Sequence, residues 1–173
     1  ALAQLKHKPR VSLLDIAPGG GKTVTGLADC AFLMGEGDVK LPLIVAPSNL
    51  VKNWMNDVNQ IVTDRKFNCI PITTKTVRSW GEKKLSRMIK NAPPNTIFFT
   101  DLNFIKLPSA SIPVYIMDTE IQVNTNLEWL KQFDWDYILF DESHLLKGTK
   151  GANGGSQQSR FFAELTLRKS VTF

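Results

Sequence analysis

The chain has 173 residues, 43% of them apolar and 21% charged, with 11 glycines and 9 prolines; this composition suits one or at most two compact domains and excludes disorder and collagen-like repeats. No run of residues approaches the roughly 18 consecutive apolar positions of a membrane-spanning helix, and the first ten residues lack the apolar centre of a signal peptide, so a soluble intracellular protein without a membrane partner is expected. The formal charge of +5 conceals a partition, because residues 65–90 hold eight basic side chains against Glu82 alone, whereas residues 101–142 hold eight acidic ones against Lys106 and Lys131. The basic stretch is a candidate surface for a polyanion, and the acidic one a candidate for metal or solvent.

Taken in chain order, apolar runs alternate with helical or loop segments. A strand over 11–16 leads to a helix over 23–34, and a strand over 43–46 to a helix over 50–62. A strand over 68–72 precedes a helix over 83–90, followed by a strand over 97–100. Residues 107–124 carry two prolines and the run Val-Tyr-Ile-Met at 114–117, which predicts a short extra strand or hairpin inserted beside the core. A helix over 127–133 then leads to a strand over 137–140. Residues 147–156 contain four glycines and read as a surface loop, because glycine holds regular structure only at an entropic cost. A final helix is expected over 157–167. Strands this continuously apolar belong to a sheet covered on both faces, hence a mainly parallel α/β sheet with right-handed crossover helices.

Two cysteines, Cys30 and Cys69, and two histidines, His7 and His144, are too few for a disulfide framework or a zinc cluster. The cysteines lie in apolar segments, so a packing role in reducing surroundings is expected.

Between the first strand and its helix stand Gly19, Gly20, Gly21, Lys22 and Thr23. Glycines let successive backbone N–H groups converge on an anion, and the helix N-terminus adds partial positive charge. Lys22 is expected to reach the terminal phosphates of a nucleotide and the Thr23 hydroxyl to coordinate Mg²⁺. The strict phosphate-loop pattern has glycine where Ile16 stands, and the competing reading is a glycine-rich turn with an exposed lysine.

The second chemical element is the strand 137–140 running into Asp141-Glu142-Ser143-His144. In a parallel sheet, acids after a strand emerge at the carboxyl edge, where ligands bind. Asp141 is expected to hold Mg²⁺ through water, and Glu142 to orient and polarise an attacking water. The place of His144, three residues after Asp141, suggests a sensor between nucleotide and neighbouring loops. The competing reading of an Asp-Glu pair alone is a solvated strand end.

With these residues in hand, the chain resembles the first motor lobe of a superfamily-two helicase, most like the Swi/Snf-related double-stranded DNA translocases. Gly19 to Thr23 resembles motif I, and Asp141 to His144 a variant of the Asp-Glu-Ala-His box of motif II. Leu43-Ile44-Val45-Ala46-Pro47-Ser48-Asn49-Leu50-Val51-Lys52-Asn53-Trp54 resembles motif Ia, Ile97-Phe98-Phe99-Thr100-Asp101 resembles the motif Ib strand, and Lys147 the lysine of an extended motif II. The resemblance implies a RecA-like P-loop lobe over 1–173 that uses ATP and Mg²⁺. It implies backbone contacts to nucleic acid, double-stranded DNA above all, from Ser48, Asn49, Lys52, Thr100 and Asn103. Trp54, on a helix within an apolar pattern, is expected to pack in the core, and the competing reading is stacking on a base. The resemblance also implies a second RecA-like lobe carrying the arginine finger, a motif III loop beyond Phe173, and near-background turnover by the 173 residues alone. Ile16-Ala17-Pro18 and Gly148 depart from the pattern of chromatin remodellers, which makes a more distant, viral or bacterial, member the expectation. An RNA helicase, a restriction-type translocase lobe and a non-catalytic nucleotide-responsive scaffold are the alternatives.

Overall fold

The computed structural model describes residues 11–12, 20–106, 114–116, 119–121, 126–141 and 170–172. Their elements are β1 (Val11–Ser12), α1 (Lys22–Gly35), β2 (Pro42–Ala46), α2 (Val51–Ile61), β3 (Asn68–Ile72), α3 (Thr74–Trp80), α4 (Glu82–Lys90), β4 (Thr96–Asp101), α5 (Leu102–Lys106), β5 (Val114–Ile116), β6 (Thr119–Ile121), α6 (Asn126–Lys131), β7 (Tyr137–Phe140) and β8 (Ser170–Thr172).

Six strands form one sheet in the order β1-β8-β7-β2-β4-β3, and every pairing in it is parallel. All six strands therefore present their carboxyl ends at one edge, the edge at which α/β sheets bind ligands. In β2, β4 and β7 every residue is buried, and successive side chains feed opposite layers. Leu43, Val45, Phe98, Ile138 and Phe140 pack with Leu85 and Ile89 of α4, Phe104 of α5 and Trp129 of α6. Ile44, Ala46, Phe99, Tyr137 and Leu139 pack with Leu27 and Cys30 of α1 and with Trp54 and Val58 of α2. Both parities of these strands are apolar because both faces are covered, the physical origin of the continuous apolar runs.

Asp136 sets the register between β7 and β2. Its carboxylate accepts the Lys40 N–H at 2.7 Å and the Leu41 N–H at 2.8 Å, fixing Pro42 opposite Tyr137. On the α6 side Phe98, Trp135, Phe133, Trp129 and Phe104 form a chain of edge-to-face ring contacts with centroids 5.2–6.4 Å apart. The buried indole of Trp135 donates to the Leu130 carbonyl at 2.8 Å and that of Trp129 to Ser86 Oγ at 3.2 Å, so neither polar nitrogen is left unsatisfied.

The expected helix over 83–90 is joined by a second one, α3. Thr73 caps it with a reciprocal capping box, its hydroxyl accepting the Thr76 N–H while Thr76 Oγ1 accepts the Thr73 N–H at 2.8 Å. Gly81, with φ 77°, ends α3 and starts α4, a conformation that a side chain would resist. The short α5 leaves no periodicity to read, because five residues are too few to show one. Residues 114–121 contain the antiparallel hairpin β5–β6, in register with Val114 opposite Ile121. The expected loop over 147–156, the expected helix over 157–167 and positions 13–16 of the expected first strand lie outside the described residues. None of the described helices is long and apolar enough to cross a membrane.

Candidate functional site

The glycine loop and the acid after β7 converge through one close helix–strand contact. Gly21 is the N-cap of α1 and holds φ 88° in the left-handed region, which a glycine adopts without penalty. Its carbonyl accepts the Thr25 N–H at 2.9 Å, starting the helix directly behind Lys22 and Thr23. Lys22 is exposed, Thr23 is half-buried, and Gly20 is exposed. One turn further, a Cβ on Gly26 would stand 2.8 Å from Leu139 Cδ2; glycine there lets α1 lie against β7. Leu139 is two residues before Asp141 and on the same side of its strand. The head of α1 and the end of β7 are thus neighbours.

Asp141 continues the sheet by one residue, its N–H donating to the Val45 carbonyl at 2.9 Å. Its half-buried carboxylate accepts the indole N–H of Trp54 at Oδ2, at 3.0 Å. Trp54 is 4% exposed and lies within the α1–α2 core layer, as its expected packing role requires. Its hydrogen bond to Asp141 is not legible in the sequence, since no period tells which acceptor an indole finds. Thr23 and Asp141 supply hard oxygen donors of the kind Mg²⁺ takes, and both belong to the two packed elements. Gly19, Glu142 and His144 lie outside the described residues.

A second group of polar side chains occupies the same edge, over β2 and β4. Ala46 pairs with Asp101 in register, so the residues that follow both strands emerge side by side. Ser48 Oγ donates to Asp101 Oδ1 at 2.8 Å, and Asn103 Nδ2 donates to Ser48 Oγ at 3.0 Å. Asp101 Oδ1 also accepts the Phe104 N–H at 2.8 Å, satisfying a backbone donor in the first turn of α5 as an N-cap does. Ser48, Asn49, Lys52 and Asn103 are all exposed, and the first and last of them touch. Thr100 is different. It is 0% exposed and its hydroxyl donates to the Ile72 carbonyl at 2.9 Å, so the expectation that its side chain meets nucleic acid is corrected: the hydroxyl is consumed within the sheet. Asp101, the last residue of the motif Ib stretch, is a residue of this edge to which the sequence reading gives no role, although it carries a signal: an acid at the last strand position with a helix starting directly behind it.

Behind the glycine loop, Asp29 of α1 accepts the Tyr137 hydroxyl at 2.8 Å. Burial raises its carboxyl above the ordinary value, and the tyrosine bond opposes that rise. Both cysteines are free thiols. Burial pushes Cys69 up to about 11, and burial together with the charges of Asp29 and Asp136 raises Cys30, so both stay protonated and weakly nucleophilic at neutral pH.

With this geometry in place, the chain can be set beside known proteins. The chromatin-remodeling ATPase INO80 of Saccharomyces cerevisiae is 25% identical over 158 residues, covering 87% of this chain and 9% of that protein. The ATP-dependent DNA helicase DDM1 of Arabidopsis thaliana is 22% identical over 132 residues, covering 76% of this chain and 15% of that protein. The chain therefore spans about a tenth of the length of these relatives. A nuclease-deletion mutant of the type ISP restriction-modification enzyme LlaGI, solved with a DNA substrate mimic, superposes with a TM-score of 0.55 at 18% identity, covering 83% of this chain and 14% of that one. The fold is thus shared with that enzyme. The family model for the type III restriction enzyme, res subunit, matches residues 1–164. From the glycine loop to the carboxyl-edge acids, the chain belongs to this type III restriction enzyme res-subunit family and forms the first RecA-like lobe of a superfamily-two helicase.

Proposed function

We propose that the chain is the ATP-binding lobe of an ATP-dependent DNA translocase or helicase, coupling nucleotide hydrolysis to movement along nucleic acid. One observation carries the reading: the contact of Gly26 with Leu139 brings the glycine loop and the strand-end acid together at the edge that also bears Ser48 and Asn103. On this reading Gly19, Gly20, Gly21 and the first N–H groups of α1 cradle the phosphates, and Lys22 reaches toward the terminal ones. Thr23 and Asp141 would hold Mg²⁺, which would supply charge neutralisation at the phosphates. Glu142 orients the attacking water, and His144 relays the nucleotide state to adjacent loops. Asn49, Lys52 and Asn103 meet the sugar-phosphate backbone, contacts that carry no base information, while Ser48, whose one hydroxyl hydrogen goes to Asp101, accepts from Asn103 and positions it.

Catalysis is then a two-lobe event, because an arginine finger from a second RecA-like lobe is worth about 10³ to 10⁵ in rate. The 173 residues alone are expected to bind nucleotide weakly and to hydrolyse it near background. Lys22→Ala is expected to abolish nucleotide binding, measured by titration with a fluorescent ADP analogue, whereas Glu142→Gln keeps binding and blocks turnover. Retained binding by Lys22→Ala would refute the phosphate-loop assignment. A restriction-type translocase is the second reading, favoured by the family match. Stimulation of ATPase activity by duplex DNA, single-stranded DNA and RNA, compared in parallel on the full-length protein, identifies the nucleic acid; stimulation by RNA alone would overturn the DNA assignment.

A further inference from the structure

We propose that Trp54 is a positioning residue for the metal-binding carboxylate: its indole N–H holds Asp141 in the orientation that accepts Mg²⁺, so the seating of α2 sets the metal affinity of the nucleotide site. The proposal rests on the reading of Asp141 as a Mg²⁺ ligand given above.

Three buried tryptophans each find an acceptor. Trp129 uses a serine hydroxyl and Trp135 a backbone carbonyl, both remote from the carboxyl edge acids in role. Trp54 alone among these three donates to a carboxylate, at 3.0 Å and across 87 residues of sequence. A bond to an ionised acceptor is roughly twice as strong as a neutral one. The donor side is rigid. Trp54 is 4% exposed, wedged among the α1–α2 layer, and its own backbone N–H donates to the Leu50 carbonyl at 2.9 Å in the first turn of α2. The acceptor side is the aspartate that continues the sheet one residue past β7, and the indole N–H fixes the place of its Oδ2 before a metal arrives. Partners that orient a metal ligand in this way are worth about 10- to 100-fold in metal affinity. The same helix begins two residues after Asn49, so the short stretch from Ser48 to Trp54 joins the Asp101-bound loop to the donor that holds the carboxylate.

The test is a Mg²⁺ titration of fluorescent ADP binding to the full-length protein. Trp54→Phe keeps an aromatic ring in the core and deletes only the donor. It is expected to leave Mg²⁺-free nucleotide affinity within about twofold of wild type and to raise the half-saturating Mg²⁺ concentration about tenfold. A Mg²⁺ dependence identical to wild type in Trp54→Phe, with Asp141→Ala shifting it, would overturn the proposal and leave the metal-ligand reading intact. If Asp141→Ala also leaves it unchanged, the metal-ligand reading itself falls, and the proposal with it. Where Trp54→Phe does not fold, the wild-type protein answers by NMR: the indole N–H resonance that Asp141→Ala displaces is expected to move when Mg²⁺ is added to the ADP complex. A resonance that stays in place refutes the role.

Discussion

Ser48 donates its hydroxyl hydrogen to Asp101 Oδ1 at 2.8 Å, tying the loop after β2 to the last residue of β4. Ser48 has only one hydrogen to give, and here it is spent on a carboxylate. Asp101 does more, since the same oxygen takes the Phe104 N–H, and the residue is 7% exposed. Ser48→Ala removes two hydrogen bonds of an exposed side chain, the one given to Asp101 and the one taken from Asn103, and is expected to cost about 0.5–1.5 kcal/mol. Asp101→Ala loses two bonds and strands a buried donor, for about 1–3 kcal/mol. A double-mutant cycle by urea unfolding checks the pairing; strictly additive effects would show that the two residues are not coupled.

The glycines at the head of α1 are expected to fail for different reasons. A side chain at Gly21 meets no atom within 4 Å but inherits φ 88°, so Gly21→Ala costs about 1–2 kcal/mol of backbone strain. Gly26→Val instead drives its Cβ to 2.8 Å from Leu139 Cδ2; the leucine can turn aside only partly in a close-packed layer, for about 1–3 kcal/mol of overpacking. The distinguishing measurement is the double variant Gly26→Val with Leu139→Ala. Rescue of nucleotide affinity relative to Gly26→Val alone supports the close approach of α1 to β7, and no rescue refutes it.

The strands over 43–46, 97–100 and 137–140 are legible in the amino-acid sequence because both sheet faces are covered, which writes unbroken apolar runs into the chain, whereas the strand over 68–72 ends the sheet with Asn68 exposed and is legible only from its apolar residues. The order of the strands is not, since β8 sits between β1 and β7 through contacts that no local pattern encodes. The glycine loop and the Asp-Glu pair are visible as residue types and spacings. Hydrogen bonds stay hidden: Trp54 to Asp141, Thr100 to Ile72 and Tyr137 to Asp29 depend on where two distant elements meet. Thr100 is misassigned by its sequence context for that reason, because a threonine at a strand end looks the same whether its hydroxyl faces solvent or a neighbouring carbonyl.

Asp29 makes a pH prediction. Its folded-state pKa is raised above the ordinary carboxyl value by burial, against the lowering effect of the Tyr137 bond. A carboxyl of this kind favours the folded state while protonated, so its stabilising contribution is full below the ordinary pKa of about 3.9 and is lost as pH rises through the raised value. Asp29→Asn keeps an acceptor for Tyr137 and cannot ionise. Thermal unfolding across acid pH is expected to show wild type losing stability relative to Asp29→Asn as pH increases above about 4. Parallel curves for the two proteins would refute the shift.

The basic stretch divides by its place in the fold. The strand β3 ends at the carboxyl edge beside β4, and α3 starts two residues later, so exposed Lys75 stands in line with Asn103 and Ser48. From there the chain returns through α3 and α4 to the opposite edge, where β4 begins, which carries exposed Lys90 away from that row. If the row meets a phosphate backbone, Lys75→Glu is expected to weaken nucleic-acid binding and to lower the slope of log affinity against log salt by roughly one. Lys90→Glu is expected to leave the slope near wild type. The lysine at the far end of α4 thus serves as the internal control for net charge, because both variants change it by the same amount. Equal losses from the two substitutions would mean that the +5 balance acts as a diffuse field and that no defined phosphate track runs along the carboxyl edge.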